Sequence, residues 1–268
     1  MTEQPECRIS IQQLHKSYRT EQNQHVLVLE DINLDIHSGD FVSVIGNPGC
    51  GKSTLLRLLM GLEKHHKGQI LIGGQQHLEN AQGLSIVYQD HRLFSWLSVT
   101  ENIRMALHQT FLSKEEENQR IQDQLELLDL TAFKDAYPSQ LSAGMNLKVA
   151  IAKSLVNQPE ILLLDEPFAC LDALMRQHLQ DELQRIWQSR KMTVILVTHD
   201  VAEALLLSTS VVVMQENPGR VKRILSLPFH APRKRSDSRL QQLKKQILTE
   251  LNALHPKQLL HATGQFSW

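Results

Sequence analysis

Residues Gly46-Asn47-Pro48-Gly49-Cys50-Gly51-Lys52-Ser53-Thr54 bring glycines, a lysine and two hydroxyls together in the spacing G-x-x-x-x-G-K-[ST]. Such a stretch wraps backbone N–H groups round an anion, and a helix starting near Gly51 adds the positive end of its dipole. The implied ligand is a triphosphate such as ATP. Lys52 would reach the β and γ phosphates, and Ser53 would hold Mg²⁺, an ion that takes most of its ligands from phosphate and water. A second group, Asp165-Glu166, closes the apolar run Ile161 to Leu164. Asp165 would hold Mg²⁺ through its water shell, while Glu166 would orient or deprotonate the water attacking the γ phosphate. His199 closes the next apolar run and is placed to hydrogen-bond that phosphate. Alone, an Asp-Glu pair reads as a solvated strand end, and one histidine among 13 as incidental. Beside the glycine loop they read as the rest of a phosphoryl-transfer site.

The elements that must position these groups follow from periodicity. An apolar run, Phe41 to Ile45, feeds the loop, and the leucine-rich run Leu55 to Leu62 leaves it as a helix. Upstream, Ile9 and Ile11, then Ile32, Leu34 and Ile36, alternate with polar neighbours as strands, with a turn at His37-Ser38-Gly39-Asp40. Further strands are expected at Gln69 to Ile72 and Leu84 to Tyr88. Between Val99 and Leu155 the pattern is helical, with Ser113 and Glu116 as an expected capping box. Ile161 to Leu164 and Thr193 to Val197 read as buried parallel strands flanking a helix from about Leu174 to Trp187. Past Glu216 a less regular tail is expected. In it Leu240, Leu243, Ile247, Leu248, Leu251 and Leu254 recur at helical spacing, predicting an amphipathic helix packed on its own domain. The basic stretch Pro232-Arg233-Lys234-Arg235 reads as a solvated linker, or as a regulatory or lipid-headgroup contact. Cys50, beside Lys52 and a helix N-terminus, reads either as a thiol of lowered pKa or as a small buried one.

With 268 residues, 41% of them hydrophobic, the chain can build a real core. A net charge of -1 gives the whole molecule no pull towards nucleic acid or anionic lipid. The apolar runs fall short of the roughly 20 residues a membrane span needs. Met1 to Glu6 is short and polar, so secretion is not expected, and three cysteines suit a reducing cytosol better than a disulfide framework.

Leu141-Ser142-Ala143-Gly144-Met145 resembles the signature loop of ATP-binding-cassette (ABC) ATPases, usually LSGGQ. Val87-Tyr88-Gln89-Asp90 resembles their glutamine loop, Ala169-Cys170-Leu171-Asp172 their D-loop, His199 their switch histidine, and Tyr18 the aromatic that stacks on adenine. The motifs run in family order over residues 8–215. The resemblance implies an α/β fold of the P-loop NTPase type, with a mostly parallel RecA-like sheet and an antiparallel β-subdomain. It also implies an inserted helical subdomain at about 91–157 and a C-terminal extension at 216–268. Two nucleotide-binding subunits, identical or different, would meet head to tail. Each ATP would lie between one phosphate loop and the other subunit's Ser142, Ala143 and Gly144, with Asp172 nearby. Gln89 would join Ser53 and Asp165 at Mg²⁺, and Glu166 and His199 would be catalytic.

The implied partners are transmembrane permease subunits and, indirectly, a periplasmic or lipid-anchored solute-binding protein, with no nucleic acid. That places the chain peripherally on the cytoplasmic side of the inner membrane. The exposed aromatic segment His91 to Trp96 would be the permease socket, or else a satellite core. The stretches Val211 to Met214, Pro218 to Val221 and Leu227 to Phe229 are similar to the nitrate, sulfonate and taurine importer branch, closest to nitrate/nitrite transport ATPases. Cyanate remains a further solute. A weakly hydrolytic regulatory subunit and a soluble, non-transport ABC ATPase are the alternatives. The departures are Ala143 for glycine, Met145 for glutamine, Asn146-Leu147-Lys148 for the usual basic-glutamine-basic run, and Pro48 for a common serine.

Overall fold

The computed structural model describes residues 7–19, 23–64, 67–76, 83–108, 110–227 and 233–253. The predicted positions Pro232 and Leu254, and the stretch Pro228-Phe229, lie outside them. The strands are β1 (Cys7–Arg19), β2 (His25–His37), β3 (Phe41–Ile45), β4 (Lys67–Ile72), β5 (Gln75–Gln76), β6 (Leu84–Val87), β7 (Ile161–Asp165), β8 (Thr193–Thr198), β9 (Ser210–Gln215) and β10 (Arg220–Ser226). The helices are α1 (Lys52–Leu59), α2 (Val99–Arg104), α3 (Lys114–Leu127), α4 (Ala143–Leu155), α5 (Ala173–Arg190), α6 (Val201–Leu207) and α7 (Ser238–Ala253). The fold is a two-sheet α/β cassette.

A central sheet in the order β10-β9-β3-β8-β7-β6 has five parallel strands and the antiparallel edge strand β10. A second, antiparallel sheet runs β2-β1-β4-β5. Buried on both faces, the central strands are predominantly apolar, with Ser43, Thr193 and Thr198 as buried exceptions, and their alternate side chains enter different cores. Leu162, Leu164, Val194 and Leu196 pack with α4, α5 and the helices after β6. Ile161, Leu163, Ile195 and Val197 pack instead with Leu55, Leu56, Leu58 and Leu59 of α1 and with Ile9, Ile32 and Ile36 of the second sheet. The layer under β3 and β9 is closed by α6 and α7, through Ala204, Leu205, Leu240, Ile247 and Leu251 around Val211 and Val213.

The expectation of an irregular tail is corrected. Residues 220–226 form β10, paired antiparallel with β9, and α7 follows, docked by Leu240, Ile247 and Leu251 as its spacing predicts; Leu248 remains on the outer side. Arg220, Lys222 and Arg223 hid β10, because an edge strand carries charge where a central one carries apolar residues. The basic stretch is corrected in part, since Arg233 and Arg235 are tied to the fold, although Lys234 and Arg235 remain exposed. Arg233 Nη1 donates to the carbonyls of Leu205 and Ser208 at the end of α6, while Arg235 bonds Gln180 Oε1 at 2.9 Å and pairs with Asp181 on α5.

In the helical stretch, Ser113 caps α3 by accepting from the Glu116 N–H. The reciprocal capping box occurs at Ser98 and Glu101, on α2, which the sequence reading passed over. His91 to Trp96 divides between its two readings: Leu93 packs on the core, while Trp96 is 70% exposed beside Phe94, at a ring distance of 5.3 Å.

Candidate nucleotide site

The glycine loop leaves the buried end of β3 and turns into α1 at Gly51, whose φ of +92° suits glycine alone and where a Cβ would lie 2.4 Å from Leu29. Gly46 and Cys50 are buried, whereas Pro48 and Gly49 face outwards. Lys52 folds over the loop, donating from Nζ to the carbonyls of Gly46 at 2.8 Å and Asn47 at 3.1 Å. Exposed Ser53 donates from Oγ to Asp165 Oδ1 at 3.3 Å, so the loop and the end of β7 meet in a pair of hard oxygen atoms. Burial pushes the Asp165 carboxyl up, the Ser53 hydrogen bond opposes this, and the neighbouring Glu166 charge adds to it.

Glu166 leaves β7 with a φ of +46°, a left-handed backbone that costs a non-glycine residue about 1 kcal/mol or more. Its N–H donates to Val197 O at 2.9 Å, which holds the strained turn against β8. That turn carries the carboxylate to His199, whose Nδ1 lies 3.0 Å from Glu166 Oε2. The two share a cleft lined also by Phe168, Ala169, Arg176, Thr198 and Asp200. Arg176 had no place in the sequence reading. Its Nη2 donates to Leu171 O at 2.9 Å and its Nη1 lies 3.6 Å from Asp200, tying the Ala169 to Asp172 segment to the turn that bears His199. No local pattern reveals such a contact.

Tyr18, near the end of β1, is half-buried beside α1 and hydrogen-bonds Glu63 and the Thr54 side chain. Its hydroxyl therefore sits beside the helix that carries Lys52 and Ser53. Gln89 is exposed in the turn after β6. Ser142, Ala143 and Gly144 open α4, and their contacts are with that helix and α5. Ser142 caps α4 by accepting from the Met145 N–H at 3.2 Å, and a Cβ on Gly144 would lie 2.7 Å from the Met175 thioether. Ala143 is helical, so its methyl causes no backbone conflict. Asp172 caps α5, accepting from the N–H groups of Leu174 and Met175. Within one chain, then, the phosphate loop, Asp165, Tyr18 and the Glu166–His199 pair converge, while Ser142 to Gly144 and Asp172 form a second surface built on helix N-termini.

For Cys50 the structure decides between the two readings in favour of the small buried thiol. Its thiol is buried, and burial pushes it up although Lys52 pulls the other way. Its Sγ lies 3.7 Å from Lys52 Nζ and meets the Lys52 backbone N–H at the start of α1, yet burial outweighs both.

Residues 29–169 match the family model described as ABC transporter. The chain belongs to the ABC transporter family. It is 40% identical, over 90% of its own length and 95% of the relative's, to the aliphatic sulfonates import ATP-binding protein SsuB of Bacillus cereus. It is 41% identical to the bicarbonate transport ATP-binding protein CmpC of Synechococcus elongatus over 85% of this chain but only 35% of that longer protein. Among solved structures, the dimeric MJ0796 cassette bound to ADP and Pi superposes with a TM-score of 0.72 at 27% identity, covering 83% of this chain and all of that one. CbiO1 of Clostridium perfringens, described as part of the cbiONQ transporter complex, superposes with a TM-score of 0.75 at 28% identity, covering 94% and 97%. The cassette is thus an ATP-binding one, with the P-loop fold that its motifs imply.

Proposed function

We propose that the cassette hydrolyses ATP to energise an importer of a small anion. The observation that carries this reading is the pairing of Glu166 with His199 one residue from the Asp165–Ser53 pair, at the ends of two adjacent parallel strands. Tyr18 stacks on the base, and the loop from Gly46 through Asn47, Pro48, Gly49, Cys50 and Gly51 to Thr54 cradles the phosphates. Lys52 leaves the loop carbonyls for the β and γ oxygens. Ser53 and Asp165, with Gln89 from its turn, supply the hard oxygen donors that suit Mg²⁺, which would neutralise phosphate charge. Glu166 takes the proton of the attacking water, and His199 holds the γ phosphate while orienting that carboxylate.

A second copy supplies Ser142, Ala143, Gly144 and Asp172, a geometry supported by the dimeric state of the MJ0796 relative bound to ADP and Pi. Residues 8–215 form the cassette proper, with 91–157 as the helical subdomain, and 216–268 the extension. Among the described residues no helix is long and apolar enough to cross a membrane, so separate permease subunits form the path. The cassette docks on them at the cytoplasmic face through the region around Trp96. For the solute, the relatives' names support a sulfonate or bicarbonate, and nitrate or nitrite rests on sequence resemblance. Phosphate release by the complex with its permease tests the reading: Glu166→Gln should slow it about 10²-fold or more while ATP still binds. An unchanged rate refutes it, and stimulation by sulfonate, bicarbonate or nitrate in turn identifies the solute.

A further inference from the structure

The Tyr18 hydroxyl is held more firmly than a simple stacking platform requires. It donates to Glu63 Oε2 at 2.5 Å and also hydrogen-bonds Thr54, which follows Ser53 in α1. Glu63, just past the end of α1, is itself anchored. Lys16 Nζ lies 3.0 Å from the same Oε2, and Arg57 Nη1 is 3.7 Å from Oε1. Burial raises the Glu63 carboxyl, yet the bonds from Tyr18 and Lys16 outweigh this and hold it below the usual range. Lys16 is 8% exposed, donates to Lys64 O at 2.8 Å and places its ammonium 4.8 Å from the centre of the Tyr18 ring. A ring with a cation over one face has only the other for a base.

We infer that Glu63 and Lys16 are positioning residues that lock the Tyr18 ring to α1, fixing the distance and tilt between the base platform and the phosphate loop. The inference rests on the reading of Tyr18 as the adenine platform and goes beyond it, because stacking needs only the ring, whereas the clamp needs the hydroxyl. Preorganisation of this kind raises affinity by removing the cost of ordering the platform on binding. It acts on ligands that contain a base and leaves the bare phosphate chain untouched.

Titration calorimetry of the full chain with Mg-ATP and, separately, with Mg-tripolyphosphate tests this. Tyr18→Phe and Glu63→Ala should each raise the ATP Kd about fivefold to tenfold, the net worth of one ordinary hydrogen bond, and leave the tripolyphosphate Kd unchanged. Their combination should cost little more than either alone, and Glu63→Gln, which keeps an acceptor, should recover part of the affinity. Equal weakening for both ligands would show that Glu63 merely supports the loop and would overturn the inference. So would unchanged ATP affinity in Tyr18→Phe and Glu63→Ala while Tyr18→Ala binds weakly, an outcome that leaves the platform reading intact. Unchanged affinity in Tyr18→Ala would remove the platform and the clamp together.

Discussion

Replacing Lys148 by methionine tests how the altered signature helix is held in place. Lys148 stands where the family pattern has the last basic residue of its run, and its side chain is 12% exposed. Nζ donates to Leu128 O at 3.0 Å and to Glu182 Oε1 at 3.1 Å, with Glu182 Oε2 in ionic contact at 3.0 Å. Through these contacts α4 grips both the end of α3 and the middle of α5. Methionine keeps the length but removes the charge, leaving the Glu182 carboxylate, 10% exposed, with no cation to face. Breaking a buried pair from one side costs about 3–5 kcal/mol. The low end, about 3 kcal/mol, applies here, because Glu182 retains some contact with water. The third neighbour, Asp129 at 3.9 Å, is largely solvated and loses little. For a chain of this size that corresponds to a fall of roughly 6 °C or more in Tm. Thermal and urea unfolding of Lys148→Met, Glu182→Leu and the double variant forms the assay. The double variant should recover most of the loss, since a buried pair exchanged for apolar side chains is about neutral. Lys148→Arg should stay near wild type. A loss below about 0.5 kcal/mol in Lys148→Met, or strict additivity in the double variant, refutes the reasoning.

Two further outcomes follow from buried groups. Iodoacetamide should label exposed Cys170 in the native cassette and reach Cys50 only on unfolding; native labelling of Cys50 at the Cys170 rate, read by peptide mass spectrometry, contradicts the burial and raised pKa of its thiol. Glu203 is buried in α6, and burial raises its carboxyl above the ordinary 4.5 although Thr198 and Gln180 hydrogen-bond it. The folded chain therefore holds this proton more tightly than the unfolded one. Its contribution to stability is full below about pH 4.5 and is lost as pH rises through the raised value. The Tm difference between wild type and Glu203→Gln should shift in favour of the variant over that rise, and a pH-independent difference would show that Glu203 carries no such linkage.

What the sequence made legible was local. The strand, glycine loop and helix of residues 41–59 are contiguous, so their order alone places Lys52 and Ser53. The predominantly apolar runs of β7 and β8 announce strands buried on both faces, and with them the rim where Asp165, Glu166 and His199 stand. Contacts across long stretches of chain were not legible. Glu63 lies 45 residues from Tyr18, and Arg235 lies 54 from Asp181, so a tyrosine read as a platform and an arginine read as part of a linker gave no sign of their partners. Cys50 misled for a subtler reason. Proximity to a helix N-terminus is visible in a motif, whereas the complete burial that outweighs it is not. Ser142 to Gly144 lie between these cases, because their capping geometry is local while the phosphate contact proposed for them lies on another copy.

The C-terminal extension is part of the nucleotide site's scaffold. Gly219, in the turn between β9 and β10, donates its N–H to Val28 O at 2.8 Å and accepts from Glu30 N at 2.9 Å, so it is stitched to β2. A Cβ there would lie 2.2 Å from Cys50 O, which means this turn presses directly on the backbone of the phosphate loop. At the far end of the extension, the Leu251 carbonyl of α7 accepts from Asn47 Nδ2 at 3.4 Å. The loop is thus braced at Asn47 by α7 and at Cys50 by the β9–β10 turn. Lys222 and Arg223 bind the two braces together through Glu250. A loop that must keep consecutive N–H groups aimed at one anion gains from support on its outer side, because the glycines that allow its shape also leave it free to lose that shape. The β9–β10 turn and α7 supply that support through Gly219 and Leu251.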